Sequence, residues 1–193
     1  PPAGVLEKLT QQLALGLVLT PEMSTYANAV RPHNISVARW EFSGRLAGTP
    51  QFEQLLRTIP PGFTLRRMDE NLFSHSLWKT EYLRSCGSAA NFFKNALGLV
   101  LLSGSEPVAE ASACYIGDKS AAVGAVTATG HRGKGLAALV AAHLINACEK
   151  QGLSTLWSCD QTHAASLAVA RKLGYAAIRA YTLVYSVKAQ PNS

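Results

Sequence analysis

The sequence is short of the features that define several protein classes. Its longest apolar stretches, residues 13–19 and 96–102, fall well below the roughly 20 apolar residues that a membrane-spanning helix needs. No five or six like charges run together, and charged residues are only 16% of the chain, so a polyionic arm of the kind that grips nucleic acid is missing. The four cysteines, Cys86, Cys114, Cys148 and Cys159, form no CxxC pair and have no histidine at zinc-ligand spacing. No metal site is expected from them, and we read them as reduced, mostly buried thiols of a cytoplasmic protein. Internal repeats and low-complexity segments are lacking. Nothing resembles a secretory signal, and Pro1 stands where an initiating Met would, so a removed N-terminal segment is expected.

What is present is a globular composition. With 193 residues, 48% of them hydrophobic, the chain can bury a full core as one domain, or as one domain with a smaller appendage. Its net charge of +6 and pI near 9.3 fit either a nucleic acid or a small phosphorylated cofactor. The charge is dispersed and aromatics are only 8%, which favours the cofactor.

Periodicity divides the chain at Pro60-Pro61-Gly62, its clearest break. Before it come an expected helix over 3–15, a strand over 35–42 and a short helix over 52–59. We take residues 1–60 as an accessory N-terminal segment, or as the remainder of a larger domain. After it, a strand over 63–68 leads into one helix opened by Asp69 or Glu70 and running through Leu72, Trp78 and Leu83. A second helix, 89–95, ends near Gly98. Strands over 99–103, 108–115 and 121–128, separated by Gly104 and Gly117-Asp118, suit an antiparallel meander. A long amphipathic helix over 134–150 follows, with Leu136, Leu139, Val140, His143, Leu144, Ala147 and Cys148 on its inner face and Gly152 as its stop. A strand over 155–159, a helix over 163–173 and strand-rich residues 175–187 complete the pattern.

The informative stretch is Val126-Thr127-Ala128-Thr129-Gly130-His131-Arg132-Gly133-Lys134-Gly135-Leu136-Ala137, between a strand and the long helix. Its glycines permit positive φ and a close backbone approach to a ligand. The first N–H groups of a helix lack intrahelical partners and carry the positive end of the macrodipole, so a pyrophosphate docks there. A P-loop requires GxxxxGK[ST], and here Gly130 to Gly135 is followed by Leu136. A dinucleotide fingerprint fits Gly133-x-Gly135-x-x-Ala138 by spacing, but the meander upstream is the wrong context. An ordinary glycine-rich turn is the plain alternative.

Arg132-Gly133-Lys134-Gly135-Leu136-Ala137 resembles the [QR]-x-x-G-x-[GA] signature of the GNAT acetyltransferase superfamily, and Lys172-Leu173-Gly174-Tyr175 resembles its K-x-G-[FY] ending. The order of pieces around them agrees over about residues 63–187. Residues 152–159 with Ser166, Ala170 and Lys172 look like a bacterial subgroup that includes a zwittermicin-type antibiotic acetyltransferase. The resemblance implies an α/β (α+β) fold: a mixed, mostly antiparallel sheet with flanking helices, whose fourth and fifth strands splay around a pantetheine arm. Residues 61–188 would then be the acyl-CoA-binding domain. By position, Ala125, Val126 and Thr127 would meet that arm, and the amides of Arg132, Gly133, Lys134, Gly135, Leu136 and Ala137 would hold the pyrophosphate. Residues 157–159, Ser158 among them, would face the thioester, with Ser166 near the cofactor. Two positions depart from the family pattern. His163 stands where many members have Asn, and Ala170 where many have the Tyr that protonates the leaving thiolate.

Acyl transfer to an amine calls for a general base of near-neutral pKa. Glu110, a lone carboxylate within an apolar strand, is the first candidate, the alternative being a carboxylate on a solvated face. His163 is the second, the alternative being a residue that merely neighbours a helix N-cap. Asp160 is expected to cap the helix after it. A Cys159 nucleophile is the less usual route. The expected function is transfer of an acetyl group from acetyl-CoA to a primary amine of a small molecule, such as an antibiotic or metabolite. A protein N-terminus, lysine or aminoacyl-tRNA acceptor, and a catalytically silent acyl-CoA-binding module, are the alternatives. A homodimer is compatible with this reading.

Overall fold

The computed structural model describes residues 17–19, 34–57 and 59–186. The helix expected over 3–15 lies outside the described residues. In chain order the strands are β1 (Leu17–Leu19), β2 (Asn34–Gly44), β3 (Phe63–Arg67), β4 (Leu97–Ser103), β5 (Glu106–Ile116), β6 (Ser120–Thr127), β7 (Ser154–Asp160) and β8 (Ala176–Ser186). The helices are α1 (Pro50–Leu56), α2 (Glu70–Ser74), α3 (Lys79–Cys86), α4 (Ala89–Asn95), α5 (Leu136–Lys150) and α6 (Ala164–Leu173). Two compact units divide the chain. The larger holds Phe42–Ser158 and Ala164–Ala177; the smaller takes residues up to Glu41, Cys159–His163 and those from Ile178 on.

In the larger unit the strands lie in the order β7-β6-β5-β4-β3. β3 to β6 form the antiparallel meander, with Phe63 opposite Ser103, Val100 opposite Glu110, and Glu110 opposite Val126. Gly104 turns the first hairpin of that run at φ +59°, a conformation that suits a residue without Cβ. β7 instead returns through a helical crossover and pairs parallel to β6. That ladder covers only Ser120↔Ser154, Ala121↔Thr155 and Ala122↔Leu156. β6 runs on to Thr127 and β7 to Asp160, so the two strands splay beyond Ala122 as expected.

Alternation along β5 separates the two faces. Glu110 and Ser112 point to the side of α3, where Tyr82, Phe73 and Phe92 form an aromatic core with Met68, Leu72, Val100 and Leu102. Phe73 and Phe92 stand 5.0 Å apart, and Tyr82 and Phe92 4.9 Å, within the range of favourable tilted ring pairs. Ala109, Ala111 and Ala113 point to the opposite face and are fully buried. Their small side chains let α5 lie close on β4, β5 and β6. The other side of α5 carries α1 and α6. Ala141, Ala142 and Ile145 are therefore as buried as Leu144 and Val140, and the helix has no broad polar face.

The helix expected from Asp69 through Leu83 is two helices, α2 and α3, broken at residues 75–78. Asp69 caps α2 by accepting from Leu72 N at 2.8 Å. The break is set from a distant strand: the Glu110 carboxylate accepts from Leu77 N at 2.8 Å and from Ser76 Oγ at 2.7 Å. That acceptor replaces a helical bond, so the chain turns. Residues before Pro60 also belong to the larger unit. Gln51 on α1 donates to the carbonyls of Arg171 and Lys172 at 2.8 and 2.7 Å, and Glu149 on α5 accepts from the N–H groups of Leu46 and Ala47.

Within the smaller unit, β1 pairs antiparallel with β8, Leu17 opposite Val184. Arg39 donates to Asp160 Oδ1 at 2.6 Å and to Tyr181 Oη at 3.2 Å. Asp160 thus pairs with Arg39, where the sequence led us to expect a helix cap. Arg179 holds Glu41 through two bonds and lies 5.6 Å over the Tyr181 ring.

Candidate active site

The residues that the sequence suggests as a phosphate seat lie together in the larger unit, where β6 ends and α5 begins. Ala128 N donates to Val108 O at 2.9 Å, and a 3₁₀ turn over Thr129–His131 follows. The Arg132 guanidinium turns back and donates to Thr127 O at 3.3 Å. Gly133 and Gly135 both sit at φ +78°, in the left-handed region that costs an L-residue about 1–2 kcal/mol. Gly135 is the N-cap of α5 and offers no side chain, and the first turn holds no acidic residue. Leu139 N makes the first helical bond, to Gly135 O at 3.1 Å. The N–H groups of Leu136, Ala137 and Ala138 are left as helix-terminal donors. Arg132, Gly133 and Lys134 are exposed at the rim. An anion would meet uncapped amides, the macrodipole and two cations.

A third cation stands at this seat, and the sequence reading missed it. A Cβ added to Gly135 would lie 2.7 Å from Lys172 Nζ. Lys172 lies in the last turn of α6, and Gln51 holds its carbonyl from α1. The signal available in the sequence was its place in the Lys172-Leu173-Gly174-Tyr175 ending.

The splayed strands leave an open edge close to this loop. Past Ala122 the β7-facing edge of β6, including Ala125, Val126 and Thr127, has no partner in the β6–β7 ladder. On the other strand Ser158 is exposed and Trp157 buried. The Trp157 indole donates to Ser166 Oγ at 3.1 Å, so Ser166 is tied to β7. Gly124 lies just past the end of the ladder. A Cβ there would stand 3.2 Å from Trp78 Cζ3 and 3.5 Å from Cη2.

The two base candidates fall in different units. Glu110 is fully buried and accepts from Ser76 Oγ, Leu77 N and, at 3.2 Å, Tyr82 Oη. Burial pushes its carboxyl above the usual glutamate value, outweighing these donors, which act in the opposite sense. Burial, then the nearby Glu110 charge, also pushes the Tyr82 hydroxyl up. The solvated-face alternative for Glu110 is therefore wrong. His163 belongs to the smaller unit, is exposed, and donates its N–H to Asp160 O at 3.0 Å. Ala170, at the usual position of the acid, is fully buried, and its carbonyl accepts from Tyr175 N. Half-buried His143 on α5 has an Nε2 without a hydrogen-bond partner among the described residues, and burial lowers its pKa.

A family model described as GNAT acetyltransferase matches residues 18–184. The chain belongs to the GNAT acetyltransferase family. A curated relative, the uncharacterized N-acetyltransferase YdfB of Bacillus subtilis, is 33% identical over 130 residues, or 66% of this chain. The chain spans half the length of that relative. A GCN5-related N-acetyltransferase-like protein from Streptococcus suis shares the fold at TM-score 0.72 and 24% identity, over 88% of this chain and 71% of that one. A putative GNAT acetyltransferase from Novosphingobium aromaticivorans matches at TM-score 0.64 and 18% identity, over 96% of this chain and 81% of that one. The mixed, mostly antiparallel sheet with flanking helices is thus the GNAT fold. Among the described residues no helix is long and apolar enough to cross a membrane, and no group of three His, Cys, Asp or Glu could hold a metal.

Proposed function

We propose that this GNAT family chain transfers an acetyl group from acetyl-CoA to a primary amine of a small molecule, of the antibiotic or metabolite kind. One observation carries this reading: an uncapped α5 N-terminus with Gly135 at φ +78° adjoins the unpaired edge of β6. The seat fits a pyrophosphate, because Gly135 leaves open the space beside Lys172 Nζ that a Cβ would occupy. Acetyl-CoA would supply the thioester carbonyl. Amides along the β6 edge would polarise it, while the amine attacks directly; the C–S bond then breaks and CoA leaves as its thiolate, which solvent protonates. Glu110, buried under three donors, acts as a positioning group for residues 76–78, which leaves the proton acceptor to solvent or to the amine's own pre-equilibrium.

The test is CoA binding and thiol release across an amine panel, for the wild type and Gly135→Trp. Wild-type binding abolished in a folded Gly135→Trp supports the seat; unchanged affinity refutes it. A second reading, acyl-CoA binding without turnover, is favoured by the buried Ala170 at the usual acid position. Under it, CoA binds normally and no amine in the panel releases thiol.

A further inference from the structure

A ring of linked contacts fixes one aromatic side chain beside β6, just past the end of its ladder with β7. Glu110 holds Ser76 and Leu77; Ser76 Oγ in turn accepts from Trp78 N at 3.0 Å. The Trp78 carbonyl accepts from Tyr82 N at 2.9 Å, and the two rings meet edge to face at 6.3 Å. Tyr82 Oη donates back to Glu110. The backbone of Trp78 is therefore pinned on both sides, and its ring is braced. The far edge of the indole lies on Gly124, where a Cβ would come within 3.2 Å of it.

Gly124 is the second residue of β6 past the ladder's last pair, Ala122↔Leu156. It lies three residues, or about 10 Å, from Thr127 at the wide end. An arm that starts at the α5 seat and follows β6 inward brings its reactive end toward Gly124. Gly124 and Glu110 share the sheet face that carries α3, opposite the face on which α5 packs. Whatever extends past the reactive end meets the indole.

Resting on the acyl-CoA reading above, we propose that Trp78 is the wall that limits the donor's acyl chain, its indole on Gly124 admitting acetyl and excluding longer chains. Gly124 and Trp78 are complementary: the strand gives up a side chain so that the ring can close the apex. The Glu110–Ser76–Leu77 contacts are the brace that keeps the ring there.

The experiment measures affinities of the whole chain for CoA, acetyl-CoA, butanoyl-CoA and hexanoyl-CoA, and therefore needs no acceptor. In Trp78→Ala the affinity for butanoyl-CoA relative to acetyl-CoA should rise roughly tenfold, as expected for two methylenes gaining apolar burial. CoA itself should bind within about twofold of wild type, since the seat at Gly135 is untouched. Trp78→Phe, which keeps an aromatic core residue should Trp78→Ala fail to fold, should give a smaller shift in the same direction. A butanoyl-to-acetyl ratio that moves less than about twofold in a folded variant overturns the proposal. Failure of wild type to bind CoA overturns the acyl-CoA reading instead, and the proposal with it.

Discussion

Replacing Glu110 by Gln tests what a buried carboxyl contributes to this fold, and in which direction pH acts on it. Glutamine keeps the shape of the side chain and resembles the protonated acid, with one acceptor oxygen for Leu77 N and a donor group at the other position. Ser76 Oγ and Tyr82 Oη, which both donate to Oε2, can rotate and accept. At pH below the ordinary glutamate range the two proteins should therefore have similar stability. As pH rises, the unfolded wild type releases its proton first, because burial holds the folded pKa above the usual value. The unfolded state then binds fewer protons than the folded one, and wild-type stability falls until pH passes the raised folded pKa. The difference is about 1.4 kcal/mol for each unit of elevation. In a chain of 193 residues each kcal/mol corresponds to about 2–4 °C in Tm. Thermal melts of wild type and Glu110→Gln at several pH values between about 4 and 8 should show the variant overtaking the wild type. A difference that stays flat, or widens in favour of wild type as pH rises, would refute the reasoning; the latter would mean that the three donors outweigh burial. Glu110→Ala should lose stability at every pH, since the Leu77 amide cannot rotate away and losing its hydrogen bond to Glu110 costs about 0.5–1.5 kcal/mol.

The remaining predictions concern the seat and the core. Lys172→Ala should weaken CoA binding about tenfold at low salt by removing one charge-assisted contact, with the difference shrinking as salt screens the site; titrations at two ionic strengths check it, and an affinity equal to wild type at low salt would count against Lys172 as a phosphate contact. Gly98→Ala should destabilise the fold by about 1–3 kcal/mol in denaturant melts, because a Cβ there would stand 2.9 Å from Phe92 Cζ and 3.0 Å from Met68 Cβ, both in the buried core.

Much of the fold was legible because its signals are local. The meander announces itself through apolar runs separated by Gly104 and Gly117-Asp118, and α4 (Ala89–Asn95) falls where its pattern places it. The geometry of the proposed phosphate seat is local in the same way: its glycines, amides and two of its cations are consecutive. Long-range contacts were not legible. α5 looked amphipathic, yet α1 covers its second side, so Ala141 and Ile145 are buried. Nothing within the helix marks that face as covered, because alanine suits a surface as readily as a tight contact. α1 itself precedes Pro60, and the proline cluster reads as a boundary although the larger unit continues across it. Lys172 was legible as part of a motif, but its direction depends on how α6 packs beside α5.

The break between α2 and α3 shows how one distant residue can decide both fold and site. Nothing in His75-Ser76-Leu77-Trp78 forbids a helix: there is no Gly or Pro, and the apolar spacing continues. Glu110 is separated from this stretch by more than thirty residues, yet its carboxylate must find donors once β5 is buried, since an unpaired buried carboxylate is far costlier than a lost helical bond. The α2–α3 segment supplies Leu77 N and Ser76 Oγ only by leaving the helix. Leaving it turns Trp78 toward the sheet, where Gly124 leaves room for its ring. A carboxylate that the sequence suggests as a base is thus also the cause of a loop. Substitutions at Glu110 should accordingly change which donors bind more than they change the chemistry of a bound one.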